Sequence, residues 1–286
     1  MKKVSVLYLL IILAFVASAC TSVTSAANPG AADDSSSTYE RVLSDETVRV
    51  GVRFDNPPLS FVDDEGDWVG FDVDLANALA GELGVEIEMV KVDELTRISF
   101  LQEGKVDMAV ASMNHTRQRD DAIDFSVTYF WDNQSFLVRA GTYASLDEIM
   151  GMKVAANAGS SAIPAWKAYS ALMGGPEPEI VEFTDKLAAM QALKDGVIEG
   201  YTEDNITLLA LAAGDETLEL IPGGHNPVQF GIGLPVNDSR WRDQVNYALQ
   251  ELWKNGSYQK IYTKWFLGAD AVIELPLGGE MEVWPE

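Results

Sequence analysis

The stretch DVDLANALAGELGVEIEM, Asp72 to Met89, changes its period part-way along. Leu75, Ala76, Leu79, Ala80 and Leu83 share one face at helical spacing. Gly84 then stops the helix, as a glycine does just past a C-terminus. Beyond it Val85, Ile87 and Met89 alternate with Glu86 and Glu88, which is strand spacing. The same alternation extends outward. Val48 to Val52 reads as a strand, Leu95 to Gln102 as a helix stopped by Gly104, and Val106 to Ala111 as a buried strand. Strands alternating with helices predict an α/β fold with parallel sheet.

One segment is echoed. Leu101-Gln-Glu-Gly104-Lys-Val-Asp107 returns in outline as Leu193-Lys-Asp-Gly196-Val-Ile-Glu199. Each reads as a helix end, a glycine cap and the start of a strand. Gly caps before strands are common; two lobes of similar build also produce this pattern.

The ends read differently. Lys2 and Lys3 precede an apolar run from Val6 to Val16, too short to span a bilayer comfortably, and Ala17, Ser18 and Ala19 follow. Residues 1–19 therefore read as a secretory signal peptide. Cys20 comes next and is the only cysteine, so no intramolecular disulfide forms. The stretch ASAC resembles a bacterial lipobox, with Ala17 where leucine is commonest, and predicts lipidation of Cys20. A thioether-linked diacylglyceryl group plus an N-acyl chain supplies the two anchors that stable attachment needs. Residues 20–39, rich in Ser, Thr, Ala, Gly and Asp, read as a flexible tether behind that anchor. The net charge of −24 repels phosphate backbones and anionic lipid, so nucleic acid is not an expected partner. The two histidines, His115 and His225, are far apart and predict no metal site. No phosphate loop, zinc-protease or nucleophile-elbow motif appears, and no cofactor is expected.

GFDVDLANALA (70–80) resembles the signature of the bacterial solute-binding proteins of amino-acid ABC transporters. RISFLQEGKVDMAVASMNHTRQR (97–119) with IDFSVTYF (123–130), VAANAGSSA (154–162) and ALQELWKNGSYQKIYTKWF (248–266) resemble further blocks of that family, in the right order. The resemblance covers about 48 to 267. It implies a two-lobed, type II periplasmic-binding-protein-like fold with two crossover strands, near Ser135–Arg139 and Phe230–Leu234, and a ligand cleft between lobes. Lobe 1 would be 40–135 with 232–270, lobe 2 would be 136–231, and 271–286 would be a tail without assigned function. It also implies an extracytoplasmic, monomeric protein that hands an amino acid to a separate membrane permease.

An amino acid carries a carboxylate and an ammonium, and burying each costs several kcal/mol unless it is paired. A guanidinium suits the first and a carboxylate the second. By resemblance Arg119 takes the α-carboxylate, helped by the Gly159-Ser160-Ser161 loop, while Ser112 and Asn114 line the site, with Asn114 where Ser or Thr is usual. Asp204 receives the ammonium. Bland readings stand beside these: a solvated arginine in HTRQRDD, and a helix N-cap for Asp204, Ser160 or Ser161. Arg53 and Arg97 match arginines of the glutamate and aspartate binders, so an acidic ligand is expected first. Lys186 stands at those binders' histidine and adds a cation. Glu94 departs from their pattern and would shift the preference toward an amide such as glutamine. Arg97 could instead be a surface residue, and Arg53 could pair internally with Asp55 or Glu94.

Two other functions fit the same scaffold. A prephenate- or arogenate-type dehydratase would need a general acid, for which Glu94 is the candidate. A ligand-sensing receptor lobe would signal through another protein. The expectation is a binding protein rather than an enzyme.

Overall fold

The computed structural model describes residues 37–267. The leader 1–19, Cys20 and the tail 271–286 lie outside the described residues, as does most of the tether. The tether ends earlier than expected. Helix α1 (Thr38–Asp45) takes its last two residues because Thr38 N donates to Asp238 Oδ2 at 2.6 Å and Tyr39 stacks on Trp241.

The next elements are β1 (Thr47–Arg53), the short β2 (Asp55–Asn56), β3 (Ser60–Val62) and β4 (Trp68–Val69), then α2 (Phe71–Leu83) and β5 (Glu86–Val92). They are followed by α3 (Arg97–Gln102), β6 (Met108–Ala109), α4 (Arg117–Asp120) and the long β7 (Asp124–Arg139). The middle of the chain gives α5 (Leu146–Ile149), β8 (Lys153–Asn157), α6 (Ala162–Leu172), β9 (Glu179–Phe183) and α7 (Lys186–Lys194). It closes with β10 (Gly200–Asp204), α8 (Asn205–Ala212), β11 (Leu218–Leu220), β12 (Asn226–Leu234), α9 (Ser239–Lys254) and α10 (Ser257–Phe266).

One sheet runs in the order β5-β1-β6-β12-β7-β10-β8-β9, with β11 added to β7, and β2-β3-β4 form a small separate sheet. β1 pairs parallel with β5 and β6, and β8 pairs parallel with β10 and β9. Between these parallel halves lie the antiparallel β12 and β7. β7 pairs with β12 from Asp124 to Gln134 and with β10 from Gln134 to Val138, so it belongs to both halves. The expected crossover stretches fall inside these two strands.

The echo has a structural meaning. Gly104 and Gly196 both adopt left-handed φ, +64° and +70°. Lys105 N then reaches Phe100 O and Val197 N reaches Ala192 O, both at 2.9 Å. Asp107 N and Glu199 N next join Arg49 O and Lys153 O, both at 2.8 Å. Each half thus turns its helix back into its sheet in the same way.

Two expected elements are shorter than the sequence suggests. The predicted helix at 95–102 starts at Arg97, because the Asp93 carboxylate takes Leu95 N and Thr96 N into a turn. The predicted strand 106–111 pairs only at Met108 and Ala109. Beyond them the carbonyl of Ala111 accepts from Arg97, and Ser112 turns the chain at φ +44°.

The signature helix α2 anchors the first half. Phe71, fully buried, lies among Tyr129, Phe130, Tyr258, Tyr262 and Phe266, with ring centroids 5.1–6.3 Å away. Its neighbour Asp72, also fully buried, accepts Ser112 N at 2.7 Å and Tyr129 Oη–H at 3.0 Å. Burial raises the Asp72 carboxyl to about 7 against these bonds. The motif therefore does two jobs: Phe71 packs the core and Asp72 fixes the turn that presents Ser112.

Candidate functional site

Residues from the two halves of the sheet meet along one buried seam. Arg53 ends β1, Arg97 opens α3, Ser112 and Asn114 follow β6, and Arg119 lies in α4. Facing them are Gly159, Ser160 and Ser161 between β8 and α6, Lys186 at the start of α7, and Asp204 at the end of β10. Apart from Ser161, which is partly exposed, and Gly159, which is exposed, all are at least nine-tenths buried.

Arg119 donates to Asn114 O at 2.8 Å and across the seam to Gly159 O at 3.2 Å. It is 7 % exposed, so the solvated reading does not hold. Burial, reinforced by Arg97, lowers it to about 9. Asp204 begins α8 in the N-cap position, but its side chain makes no capping bond. Instead its carboxylate accepts from Asn114 Nδ2 at 2.9 Å and Gln134 Nε2 at 2.8 Å. Burial raises it despite those bonds. Asn114 also donates to Ser161 Oγ at 2.8 Å, so the unusual asparagine ties the two halves together. Ser160 Oγ does cap, accepting Ala162 N at 3.2 Å.

Arg53 departs most from expectation. It does not stand free for an anionic ligand: its guanidinium contacts Glu94 and lies 3.0 Å from Asp55. Burial disfavours its charge, yet these two carboxylates outweigh that and raise its pKa. Glu94 is held down to about 2, burial being overcome by Arg53, Lys186 and Arg97, and it accepts Asn157 Nδ2 at 3.2 Å. A carboxyl with that value holds no proton at neutral pH, so Glu94 is unsuited to general-acid work.

Arg97 is buried, not on the surface, and donates to the carbonyls of Ala111 and Ser112 at 2.7 and 3.3 Å. Lys186 occupies a helix N-terminus, the wrong end for a cation by the helix dipole. It reaches across the seam to Asn56 Oδ1 at 2.5 Å, which also accepts Thr207 Oγ1–H at 3.1 Å. Burial, then Arg53, lowers Lys186 to about 8. Asn56 in turn donates to Ser112 Oγ at 3.0 Å.

Among the described residues, Arg97, Arg119, Lys186, Asp204 and Glu203 are buried and make no ion pair with one another or with any neighbour. Three buried polar atoms at the seam have no partner: Arg97 Nε, Asn114 Oδ1 and Glu203 Oε2. A cavity of about 620 Å³ ends on Arg119 and the 159–161 loop, and another of about 470 Å³ ends on Asp55 and Lys186. The seam so built suits a small molecule bearing both signs of charge.

The chain matches the family model of bacterial extracellular solute-binding proteins, family 3, over residues 48–268. It belongs to that family. This solute-binding protein is 28% identical over 271 residues to the ABC transporter glutamine-binding protein GlnH of Bacillus subtilis, covering 93% of this chain and 97% of the relative. It is 28% identical over 245 residues to the glutamate-binding protein GluB of Corynebacterium glutamicum, with 79% and 80% covered. Its fold matches that of an ancestral arginine-binding protein bound to glutamine, with TM-score 0.70 and 34% identity over 77% of this chain and 98% of that one. The solute-binding protein is thus of the amino-acid ABC transporter type, with the two-lobed type II fold.

Sequence reading missed several seam residues: Asn56, Asn157, Glu203, Thr207 and Gln134. The signal available was a polar side chain inside an apolar strand or helix face, as with Glu203 in GYTED. That signal does not say which side of the strand meets the cleft. His115 stacks on Phe125 and His225 lies buried against Phe136 and Trp166.

Proposed function

We propose that this protein captures a free polar α-amino acid outside the cell and delivers it to a membrane permease. Arg119 with the 159–161 loop takes the α-carboxylate, and Asp204 with Asn114 takes the ammonium. The observation that carries this is the set of buried, unpaired charges of both signs along one seam. A zwitterion supplies each with its missing partner, offsetting the several kcal/mol that an unpaired buried ion costs. Ser112, Arg53, Arg97 and Lys186 surround the side chain. The halves are lobes, 40–135 with 232–270 and 136–231, that close over the ligand by a hinge at β7 and β12. Lipidation of Cys20 and a tether would hold the body at the outer face of the membrane.

For the side chain, the ion pairing of Arg53 weighs against the acidic ligand first expected. With Asp55 and Glu94 already against it, Arg53 offers little net charge to a second ligand carboxylate. An uncharged carboxamide, as in glutamine, suits a pocket holding both donors and acceptors. The name of the Bacillus relative agrees. The acidic reading retains one observation in its favour: Arg97 and Lys186 bind only neutral oxygens.

Calorimetric titration of the purified chain with glutamine, glutamate, aspartate, arginine and histidine tests both levels. Micromolar or tighter binding, about −8 kcal/mol, of glutamine ahead of glutamate supports the amide. Preference for glutamate or aspartate returns the side chain to the acidic reading. Binding of none of them sinks the amino-acid assignment.

A further inference from the structure

Glu203 is 5 % exposed, and no hydrogen bond of the described residues reaches its Oε2. Its Oε1 accepts only a long bond, 3.3 Å, from Asp204 N. Alternation along β10 separates it from its neighbours. Thr202 bonds His225 and Asp204 bonds Asn114 and Gln134, on one side of the strand. Tyr201 and Glu203 take the other side. There Tyr201 donates to Asn157 Oδ1 at 2.8 Å, and Asn157 donates onward to Glu94. Glu203 thus shares the side-chain end of the seam with Glu94, Arg53 and Lys186, all of which act on it electrostatically, while Asp204 serves the ammonium end. Burial and Asp204 raise its carboxyl to about 7.

We infer that Glu203 selects the ligand's side chain by accepting a hydrogen bond from a carboxamide NH₂, with Lys186 turned toward the amide oxygen. This rests on the amino-acid reading above and names a specificity residue that the family motifs do not. An unpartnered buried acceptor rejects a ligand that brings no donor, because the mismatch leaves both groups unsatisfied. A ligand carboxylate brings no donor and adds like charge. A guanidinium brings donors but meets Arg53, Arg97 and Lys186 around it.

The test is the ratio of glutamine to glutamate dissociation constants, measured in one sample so that the folded fraction cancels. Glu203→Gln can turn its amide either way, and the preference for glutamine should fall at least tenfold. Glu203→Leu should weaken glutamine at least tenfold while moving glutamate less. A ratio within twofold of the parent in both variants overturns the inference and leaves the amino-acid assignment standing. Glutamate affinity falling more than glutamine affinity also overturns it, since Glu203 would then be donating as an acid. A parent chain that binds no amino acid fails the reading beneath it instead.

Discussion

The guanidinium of Arg53 lies against the carboxylate of Glu94, the first side chain buried and the second nearly so, 3% and 10% exposed. Removing one member leaves the other charge stranded. Arg53→Ala should destabilise the fold by about 3–5 kcal/mol, read by urea unfolding. The sign with pH follows from Glu94. Its carboxyl is depressed from 4.5 to about 2, so its contribution is present above about 4.5 and lost as pH falls toward 2. Arg53→Ala should flatten that acid limb, and an unchanged limb would show that the pair contributes nothing. Glu94→Gln should leave Arg53 with Asp55 as its one carboxylate partner among the described residues and improve glutamate relative to glutamine about tenfold, by calorimetry.

Asp204 should separate binding from stability. Its carboxylate is buried with hydrogen bonds but no cation, so Asp204→Asn removes a costly charge from the unliganded fold. The melting temperature should hold or rise. Amino-acid affinity should fall by about 2–5 kcal/mol, the usual loss when one partner of a buried charge pair is removed. A variant that melts lower and binds normally would remove Asp204 from the site.

Gly159 combines a left-handed φ of +79° with close approach across the seam. A Cβ there would meet Glu94 O and Leu95 Cδ2, each at 3.2 Å. Gly174 has a similar φ, +74°, and nothing within 4 Å. Both alanine variants should lose about 1 kcal/mol of stability to backbone strain. Gly159→Ala alone should also weaken ligand binding, by about tenfold, because only there does the methyl oppose contact between the halves. Equal affinities in the two variants would refute this.

His225 packs against Phe136 and Trp166, with Nε2 3.0 Å from Thr202 Oγ1. Burial lowers it from 6.5 to about 4. The unfolded chain therefore takes up the proton first, and stability is lost as pH falls from about 6.5 to about 4. The contribution is about 3 kcal/mol at most. Glu203 and Asp72, raised to about 7, act oppositely, losing stability as pH rises from about 4 to 7. The difference between parent and His225→Gln isolates the histidine, and identical pH profiles would assign it no such role.

Local pattern carried much of the architecture. The period change at Gly84 marked a helix running into a strand, and both are there, Gly84 capping at φ +72°. The repeated Gly104 and Gly196 turns announced two similar halves. Arg119 and Asp204 were named because the family motifs fix their place in the chain, and both lie buried at the seam. Arg53 was located and both of its partners were named as an alternative, but the sequence did not choose between pairing and a free guanidinium, because Asp55 and Glu94 compete with any ligand only once β1 and the start of α3 lie side by side. Glu203 escaped notice for a similar reason: a glutamate beside a helix start looks like solvated surface until the seam closes over it.

The sequence by itself determined the α/β class and the family, since these depend on spacing and on motifs read along the chain. Tertiary structure alone decided which charges are neutralised internally and which stay unpaired. That balance depends on close contacts between residues far apart in sequence, such as Arg53 with Glu94, 41 positions away, and Lys186 with Asn56, 130 positions away, and on the burial that makes each unpaired charge costly.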